Sequence, residues 1–350
     1  MNDRMNIRRP LGRSGLEVPA IVFGTSCLGN LYAVVPDETK LAIVAEIMLH
    51  SPGPMVLDSA GKYGAGLALE VIGDCLRKLG IAAGDVIISN KLAWYRVPLK
   101  GPEPTFERGV WAGIGHDAEA RISYDGILEC WEQGCGLLGG GYTPRMVSVH
   151  DPDEFLAAAA TPAERARRFD DVIGAYRALF GLKARGVVQA VGIGSKDWRV
   201  VREITEQVAL DWVMLACSLT VYSHPRELLD FIAQLHGRGV GVINSAVFHA
   251  GFLTGGPWFD YCKPDPVQDE ALFRWREEFL ATCRAHGVKA ADVCVQFGLA
   301  VPGVAAVALN TGKPERIREN VASGSAEIPV GLWRALKDAG LIDREFEFVG

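Results

Sequence analysis

The sequence predicts an α/β protein: a (β/α)8 TIM barrel with an N-terminal β-hairpin and long loops after strands 3 and 7. Eight short apolar runs alternate along the chain with segments of helical periodicity. Strands separated by helices form parallel sheets, and eight such units close a barrel. The length of 350 residues would also suit two average domains, but barrels of this kind often form one unit. We therefore expect a single domain over residues 1–350.

The chain begins with a predicted hairpin over residues 8–18, which turns at the Gly-Arg-Ser-Gly stretch 12–15. The barrel strands are then predicted from short apolar runs in which β-branched residues are frequent. These runs cover residues 20–24, 55–58, 86–89, 146–149, 187–192, 212–216, 240–243 and 304–309. The spacing between them leaves room for the helical crossover that each pair of parallel strands requires.

Helices are predicted between the strands from their apolar periodicity. In the segment 67–79, for example, Leu67, Val71 and Cys75 fall on one face, as in an amphipathic helix. The other segments with this periodicity are 39–49, 164–185, 198–208, 225–235, 270–286 and 314–322.

An open, doubly wound sheet is the alternative architecture for alternating strands and helices. Such a sheet favours a glycine fingerprint for a dinucleotide directly after its first strand. The stretch 24–27 (GTSC) has one glycine, and Gly64 and Gly66 after the second strand lack a third glycine at Leu69. The sequence therefore favours the barrel.

Two segments are longer than ordinary connections between strands and helices. Residues 92–125 follow the third strand and residues 246–268 follow the seventh, and each segment carries several aromatic residues and one histidine. Long loops of this kind are usually lids or binding loops, and the alternative is a surface cover packed on the barrel. The side chains in question include Trp94, Tyr95, Trp111, His116, Phe248, His249, Phe252, Trp258 and Tyr261.

Composition indicates a cytoplasmic protein without nucleic-acid or membrane partners. The net charge is −6 with no block of like charge, which argues against nucleic-acid binding. The eight cysteines show no CxxC pair and no zinc spacing, so we expect buried thiols in a reducing compartment and no metal. The N-terminus has no signal-like apolar stretch, and Pro302 divides the apolar stretch 293–309 into a helix and a strand. The oligomeric state is left open.

Ionisable residues stand at the ends of three consecutive predicted strands. Asp58 ends the second strand, with Tyr63 five residues on, Lys91 follows the third, and His150 follows the fourth. Taken singly, each has an ordinary structural explanation as a cap, a core aromatic, a solvated charge or a loop histidine. In a barrel, however, the carboxyl ends of the strands carry the active site, so the four together indicate one.

These four residue types suit the interconversion of a carbonyl and an alcohol. Asp58 would supply the counter-charge that a buried Lys91 needs. The ammonium would lower the pKa of Tyr63, which could then exchange a proton with a substrate oxygen. His150 would orient that oxygen, and hydride would pass to or from a nicotinamide. Schiff-base chemistry at Lys91 is the alternative, but it leaves Tyr63 and His150 without a role.

The same segments resemble the aldo-keto reductase family from about residue 11 to residue 324. The resemblance implies a TIM barrel that binds NAD(P) without a Rossmann motif. It also implies that Tyr63 is the proton donor and acceptor, that Asp58 and Lys91 tune it, and that His150 orients the substrate. The matching segments are GRSGLEVPAIVFGT, LDSAGKYGAG, ISNKL, VHDPD, VGIGS and KPERIREN.

The loop after the eighth strand is expected to hold the adenosine end of the cofactor. Gly312 permits a tight turn there, and Lys313 and Arg316 flank a helix N-terminus that suits a phosphate. Relatives that prefer NADP often have lysine where this chain has Asn310, so we predict NAD, with NADP possible. The resemblance further implies cofactor contacts from Gly24, Thr25, Ser195, Glu319 and Asn320, although Lys196 replaces the asparagine commonly found after the serine.

The long loops resemble those of bacterial aldose 1-dehydrogenases, which oxidise L-fucose and other D-threo-aldoses, and of pyridoxal 4-dehydrogenases, which form a pyridoxolactone. Both substrates present a cyclic hemiacetal, so one mechanism covers them. Trp94, Trp111 and His249 could line either pocket, because aromatic faces stack on sugar C–H surfaces and on pyridine rings. The sequence leaves the choice open between a small-molecule sugar and pyridoxal. It also leaves open an NADPH-dependent aldehyde reductase and a non-catalytic NADP-binding regulatory module.

Overall fold

The computed structural model describes residues 8–260 and 262–350; Tyr261, one of the expected loop aromatics, lies outside the described residues. The strands are, in chain order, β1 (Arg8–Pro10), β2 (Glu17–Pro19), β3 (Ile21–Gly24), β4 (Met55–Ala60), β5 (Val86–Leu92), β6 (Trp94–Pro98), β7 (His116–Ala120), β8 (Met146–His150), β9 (Ala190–Ser195), β10 (Trp212–Ala216), β11 (Gly241–Ser245) and β12 (Val304–Leu309). The α-helices are α1 (Asp37–His50), α2 (Leu67–Lys78), α3 (Tyr124–Leu138), α4 (Pro152–Ala157), α5 (Pro162–Ala184), α6 (Trp198–Thr205), α7 (Arg226–Gly237), α8 (Glu270–Ala285), α9 (Ala290–Ala300), α10 (Ile317–Ser323) and α11 (Val330–Asp338).

Eight of these strands close a parallel barrel, which confirms the predicted fold class. Around the barrel the order is β3, β4, β5, β8, β9, β10, β11 and β12, and β12 pairs with β3 to close it. Each of these strands therefore lies beside its predecessor in the chain, as crossover helices on the outside of a barrel require. All eight predicted runs contribute a strand, and this arrangement gathers their carboxyl ends at one face.

The boundaries differ from the prediction at two places that matter. Strands β4 and β5 continue to Ala60 and Leu92, so both Asp58, predicted to end its strand, and Lys91, predicted to follow its strand, lie inside buried strands. Strand β9 begins only at Ala190, because Val187 lies in the turn that ends α5. Its N–H donates to the carbonyl of Leu182 beyond a left-handed Gly186, a common way to finish a helix.

The N-terminal hairpin closes the amino end of the barrel. Strands β1 and β2 pair antiparallel, as predicted. The side chains of Leu11 and Val18 form one buried cluster with residues near the amino ends of the barrel strands, such as Val56 and Trp212. The hairpin therefore serves as a plug, and it leaves the opposite, carboxyl face free for a site.

Helix α3 was not predicted, because its sequence carries glycines that lower helix propensity. The glycines serve close packing instead. A Cβ at Gly134 would lie 2.5 Å from the side-chain nitrogen of Asn90, and α3 also packs on α2 at Gly73. Ser123 caps the helix, since its hydroxyl accepts the N–H of Gly126. Residues 124–138 are therefore the regular helix after the third barrel strand.

The predicted long loop after the third barrel strand contains a second antiparallel ribbon. Strand β6 pairs with β7, from Trp94 opposite Ala120 to Pro98 opposite His116. The irregular part of the segment is thereby reduced to residues 99–115, here called the 99–115 loop. The segment after β11 is also largely irregular over its described residues, 246–260 and 262–268, as predicted.

All eight cysteines are free thiols. Among the described residues, none of the helices has the length and apolar character needed to cross a membrane.

We predict that Gly241→Ala displaces the N-terminal hairpin from the amino end of the barrel and lowers the stability of the protein. A Cβ at this position would lie 2.7 Å from the backbone of Leu11 and Gly12, so the hairpin must shift. Overpacking of this kind costs about 1–3 kcal/mol, which urea unfolding would measure as a lower midpoint. The matched control is Gly181→Ala in α5, where a Cβ meets open space and the midpoint should rise slightly. Equal midpoints for Gly241→Ala and the unaltered protein would contradict the packing argument.

Candidate active site

Three neighbouring barrel strands bring the predicted catalytic residues to one place. Asp58 and Lys91 lie on the paired strands β4 and β5, and His150 ends β8, the next strand. Tyr63 lies on the short connection after β4. That connection runs close to other backbone, since a Cβ at Gly61 or Gly64 would clash with the carbonyl oxygens of Trp94 and Gly29. The glycines around Tyr63 thus fix where the tyrosine stands.

Asp58 and Lys91 form a buried ion pair. Their side chains are 4% and 3% exposed, and the Lys91 ammonium donates to Oδ2 of Asp58. The second carboxylate oxygen accepts the hydroxyl of Ser89 at 3.0 Å. Gly194 on β9 makes room for the lysine stem, because a Cβ there would lie 2.8 Å from Cδ of Lys91. The pair is therefore held on all sides by the barrel strands.

Tyr63 lies between this pair and an aromatic wall. The Lys91 ammonium is 4.8 Å from the centroid of its ring, and the ring of His150 meets it edge-on at 5.8 Å. The expectation of a lowered pKa is wrong here: burial, followed by the charge of Asp58, raises the pKa of Tyr63 well above its usual value. The reason is that the lysine charge is already matched by Asp58. Tyr63 is thus a neutral phenol at neutral pH, able to donate its proton.

His150 is held as a neutral imidazole. Burial lowers its pKa well below the usual value, and the nearby ammonium groups of Lys91 and Lys62 lower it further. Its Nε2 lies 3.5 Å from a carboxylate oxygen of Asp151. Its Nδ1 is buried and has no hydrogen-bond partner within the part of the chain that the structure describes. Such a ring can offer a hydrogen bond to a substrate oxygen next to Tyr63.

Two of the predicted substrate-binding residues form the wall beside Tyr63. Trp111 is 7% exposed, and its ring lies 5.8 Å from that of Tyr63. Trp94 packs on Phe106 at 5.6 Å, and both belong to the same buried cluster as Trp111 and Tyr63. The 99–115 loop and the β6–β7 ribbon therefore contribute an aromatic surface to the site.

His249, the third predicted substrate contact, belongs to a separate cluster. Its Nδ1 lies 2.8 Å from Oδ1 of Asp260, its Nε2 lies 2.8 Å from the hydroxyl of Thr220, and its ring stacks on Phe259. The Cys217 thiol also hydrogen-bonds to Asp260. Donor atoms of Cys217, His249 and Asp260 lie within 4.8 Å of one another, as metal ligands would, but hydrogen bonds already join them. Both ring nitrogens of His249 thus have protein partners, and its substrate role stays a prediction.

A cluster of charges beside Tyr63 was missed by the sequence reasoning. Lys62 is buried, and its ammonium contacts Glu107, Asp151 and Glu154 at 2.7–3.0 Å. The only signal in the sequence was a lysine directly before Tyr63, the predicted catalytic tyrosine. Nothing in the spacing indicates that its partners come from a distant loop and from α4.

The predicted cofactor residues Gly24, Thr25 and Ser195 lie at strand ends on the same face of the barrel as the Asp58–Lys91 pair. The backbone N–H and hydroxyl of Thr25 both donate to the carbonyl oxygen of Asp58 at 3.0 Å, and Gly24 ends β3 beside it. Ser195 ends β9 and is buried. The carboxyl ends of β3, β4 and β9 thus lie on one face of the barrel, the face that carries Tyr63.

The loop after β12 fits an anionic group. The side chains of Lys313 and Arg316 are exposed, and within the described residues no carboxylate pairs with either. A Cβ at Gly312 would meet nothing within 4 Å, so the backbone is open to a ligand. Asn310 instead binds the loop after β3, donating to the hydroxyl of Ser26 at 2.9 Å. These features fit the phosphates of a dinucleotide.

The two predicted adenine contacts lie on α10. Glu319 forms an exposed ion pair with Lys289 at 3.1 Å, and Asn320 is partly buried. Glu319 is thus committed to a neighbour in this structure, although an exposed pair of this kind is weak and can rearrange. Their contact with an adenine ring stays a prediction.

Side chains suited to exchange a proton with a substrate oxygen lie beside an aromatic wall, and the same face of the barrel carries a cationic loop, as a nucleotide-dependent oxidoreductase requires. The chain belongs to the aldo/keto reductase family, whose family model matches residues 20–339. Oxidoreductases of this family use NAD(P)H. The resemblance that the sequence motifs carry is thus confirmed.

Individual relatives are similar at modest identity. The chain is 28% identical to a pyridoxal 4-dehydrogenase from Microbacterium luteolum, over 98% of this chain and 100% of that protein. It is 25% identical to a D-threo-aldose 1-dehydrogenase from a Pseudomonas species, over 94% and 96%. Among solved structures, the holo form of an aldo-keto reductase from Bacillus halodurans covers 96% of both chains with a TM-score of 0.70 and 19% identity. That likeness supports the barrel fold.

We predict that His150 makes stability depend on pH below neutrality. Because its pKa is lowered in the folded protein, the unfolded chain binds a proton below about pH 6.5 that the folded protein refuses. The free energy of unfolding should therefore fall with decreasing pH, by at most about 1.4 kcal/mol per pH unit from this group. Urea unfolding of the unaltered protein and of His150→Gln, between pH 7 and 5, measures the difference.

The control for this experiment is His286→Gln, at an exposed position beyond α8. Its stability should follow the pH dependence of the unaltered protein. If the curves of His150→Gln and the unaltered protein stay parallel down to pH 5, His150 is not held neutral by the fold.

Proposed function

We propose that the protein is an NAD(P)-dependent dehydrogenase that oxidises the cyclic hemiacetal of an aldose at C1 to the lactone. The observation that carries the proposal is the placement of Tyr63 between the Asp58–Lys91 pair, His150 and the indole of Trp111. A D-threo-aldose 1-dehydrogenase among the relatives supports the substrate class. Indole faces suit the C–H surface of an uncharged sugar.

In this reaction Tyr63 accepts the proton of the anomeric hydroxyl while C1 loses a hydride, and the C1–O bond becomes the carbonyl of the lactone. The nicotinamide ring, when bound, supplies the hydride acceptor. His150 donates a hydrogen bond to the reacting oxygen and holds it near Tyr63. Because the pKa of Tyr63 is raised, the phenolate that accepts a proton is scarce at neutral pH. Oxidation should therefore become faster as the pH rises.

Pyridoxal is the second candidate substrate, and its hemiacetal would be oxidised to 4-pyridoxolactone by the same steps. It is favoured by the 28% identity over the full length of a pyridoxal 4-dehydrogenase. The wall of Trp94 and Trp111 would suit its pyridine ring as well as a sugar. A third candidate, NADPH-dependent aldehyde reduction, is favoured by the protonated state of Tyr63, which suits proton donation.

We propose NAD as the principal cofactor, with NADP possible. Asn310 supplies no charge for a 2′-phosphate, and its side chain is engaged with Ser26. Lys313 and Arg316 offer two charges to the phosphates of either dinucleotide. The eight free thiols suit a reducing compartment, which supports a cytoplasmic enzyme.

The substrate proposal predicts turnover that absorbance of the reduced nicotinamide would follow. Purified protein with NAD or NADP should oxidise at least one of L-fucose, D-arabinose, L-galactose and pyridoxal, with kcat rising from pH 7 to 10. Tyr63→Phe removes the proton acceptor and should lower kcat by about 10²–10⁴-fold. Tyr124→Phe, at an exposed position that starts α3, is the matched control and should keep the unaltered rate. Absence of turnover with all four substrates would rule out the hemiacetal proposal.

The cofactor proposal predicts how dinucleotide affinity responds to the loop after β12. Quenching of tryptophan fluorescence should give a lower Kd for NAD than for NADP. Arg316→Ala should weaken binding of both by about tenfold, because charge-assisted hydrogen bonds to phosphate are strong. Asn310→Lys should shift the preference toward NADP. Arg334→Ala, an exposed arginine of α11, is the control, and an Arg316→Ala protein with unchanged Kd values would contradict the assignment.

A further inference from the structure

Lys62 has an unusual place for a lysine. Its side chain is 3% exposed, yet it lies directly before Tyr63 at the carboxyl end of the barrel. Its Nζ contacts Oε1 of Glu107 at 2.7 Å, Oδ2 of Asp151 at 3.0 Å and Oε2 of Glu154 at 3.0 Å. An ammonium has three hydrogens to donate, so three carboxylates satisfy it completely. We call these four residues the Lys62 cluster.

The three carboxylates belong to different parts of the site. Glu107 comes from the 99–115 loop, Asp151 follows His150, and Glu154 lies on α4. Lys62 therefore connects the loop that covers the site to the strand end that carries the catalytic histidine. Within the described residues, no other buried lysine joins three segments in this way.

Glu107 links Lys62 to Trp111 in the aromatic wall beside Tyr63. One of its carboxylate oxygens accepts from Lys62, and the other accepts the indole N–H of Trp111 at 2.7 Å. Trp111 in turn lies against Tyr63, and the Lys62 ammonium stands 5.1 Å from the ring of Trp94. A chain of direct contacts thus runs from the residue before the catalytic tyrosine, through the loop, and back to that tyrosine.

Few apolar side chains of the 99–115 loop are buried against the rest of the protein. Of the residues in the 99–115 loop, the buried ones are Pro104, Phe106 and Trp111, while most of the others are exposed. Glu107 itself has a left-handed backbone, with φ of +41°, which is costly for this residue type unless its surroundings fix it. The ion pair with Lys62 fixes Glu107 in this conformation.

We propose that Lys62 is a positioning residue that holds the 99–115 loop closed over Tyr63 and sets Trp111 as a wall of the substrate pocket. This inference rests on the proposed function for its substrate, because an uncharged hemiacetal would be oriented by that wall. Lys62 does not contact the reacting atoms; it acts through Glu107 and Trp111. Its loss should weaken substrate binding and leave the loop open.

The test compares Lys62→Met with the unaltered protein by limited trypsin cleavage. Lys100 and Arg108 are exposed trypsin sites within the loop. Cleavage there should become about tenfold faster in Lys62→Met, because the loop opens more often. The matched control is Lys183→Met, which removes a paired lysine at the amino end of the barrel, where it contacts Asp211 at 2.5 Å. Its loop should be cut at the rate of the unaltered protein.

Kinetics give the second readout. With a hemiacetal that the unaltered protein oxidises, Lys62→Met should raise KM by about tenfold and change kcat less, as expected when a wall that binds substrate is lost. The pH profile of kcat should also move to higher pH, since the Lys62 charge lowers the pKa of the neighbouring Tyr63. A lysine that served stability alone would leave KM and the profile in place.

Glu107→Gln keeps the test decisive if Lys62→Met does not fold, since Glu107 is 30% exposed. It should show the same rise in loop cleavage and KM, and the double variant should be less affected than the sum of the single variants. Cleavage rates within twofold of the unaltered protein for both single variants would overturn the proposal. If the unaltered protein oxidises no hemiacetal, the proposed function fails, while the cleavage rates still decide the role of Lys62.

Discussion

The buried pair of Asp58 and Lys91 is the constraint on which the site depends. Two opposite charges inside a barrel lose their hydration, so such a pair contributes little to stability, whereas removing one partner costs about 3–5 kcal/mol. The pair can exist only where β4 and β5 lie side by side in register and Gly194 leaves space for the lysine stem. The barrel thereby supplies a fixed dipole next to Tyr63, whatever substrate is bound.

Burial is the main reason that Tyr63 and His150 are both neutral, and the charges of this buried pair add to its effect on their pKa values. The carboxylate of Asp58 disfavours a phenolate, while the ammonium groups of Lys91 and Lys62 disfavour an imidazolium. Burial acts in the same direction on both groups. The pKa of Tyr63 is thus raised and that of His150 is lowered. Two neutral hydrogen-bonding groups therefore face the pocket over a wide pH range. A polarised carbonyl or hydroxyl oxygen is the natural partner for them.

The barrel, and the meeting of Asp58, Tyr63, Lys91 and His150 at one place, could be predicted from the sequence because both follow from local patterns. Strand spacing gives the eight units, and parallel strands must present Asp58, Lys91 and His150 at one face. Prediction from the sequence failed where segments that lie far apart in the chain meet in the structure. The glycines of α3 look unfavourable for a helix until their packing is known, and nothing near Lys62 indicates Glu107. For His249, likewise, an aromatic-rich loop does not reveal that Asp260 and Thr220 engage the ring.

The distribution of charge divides the carboxyl face into two regions. Around Tyr63, the ammonium groups of Lys62, Lys91 and Lys196 are matched by carboxylates, and the four acids Asp58, Glu107, Asp151 and Glu154 leave one negative charge in excess. Among the described residues around Tyr63, each of these cations is paired with a carboxylate, so the excess negative charge would repel an anionic substrate. At the β12 loop, by contrast, Lys313 and Arg316 lack carboxylate partners among the described residues. The electrostatics therefore favour a dinucleotide's phosphates on the β12 side and an uncharged substrate beside Tyr63.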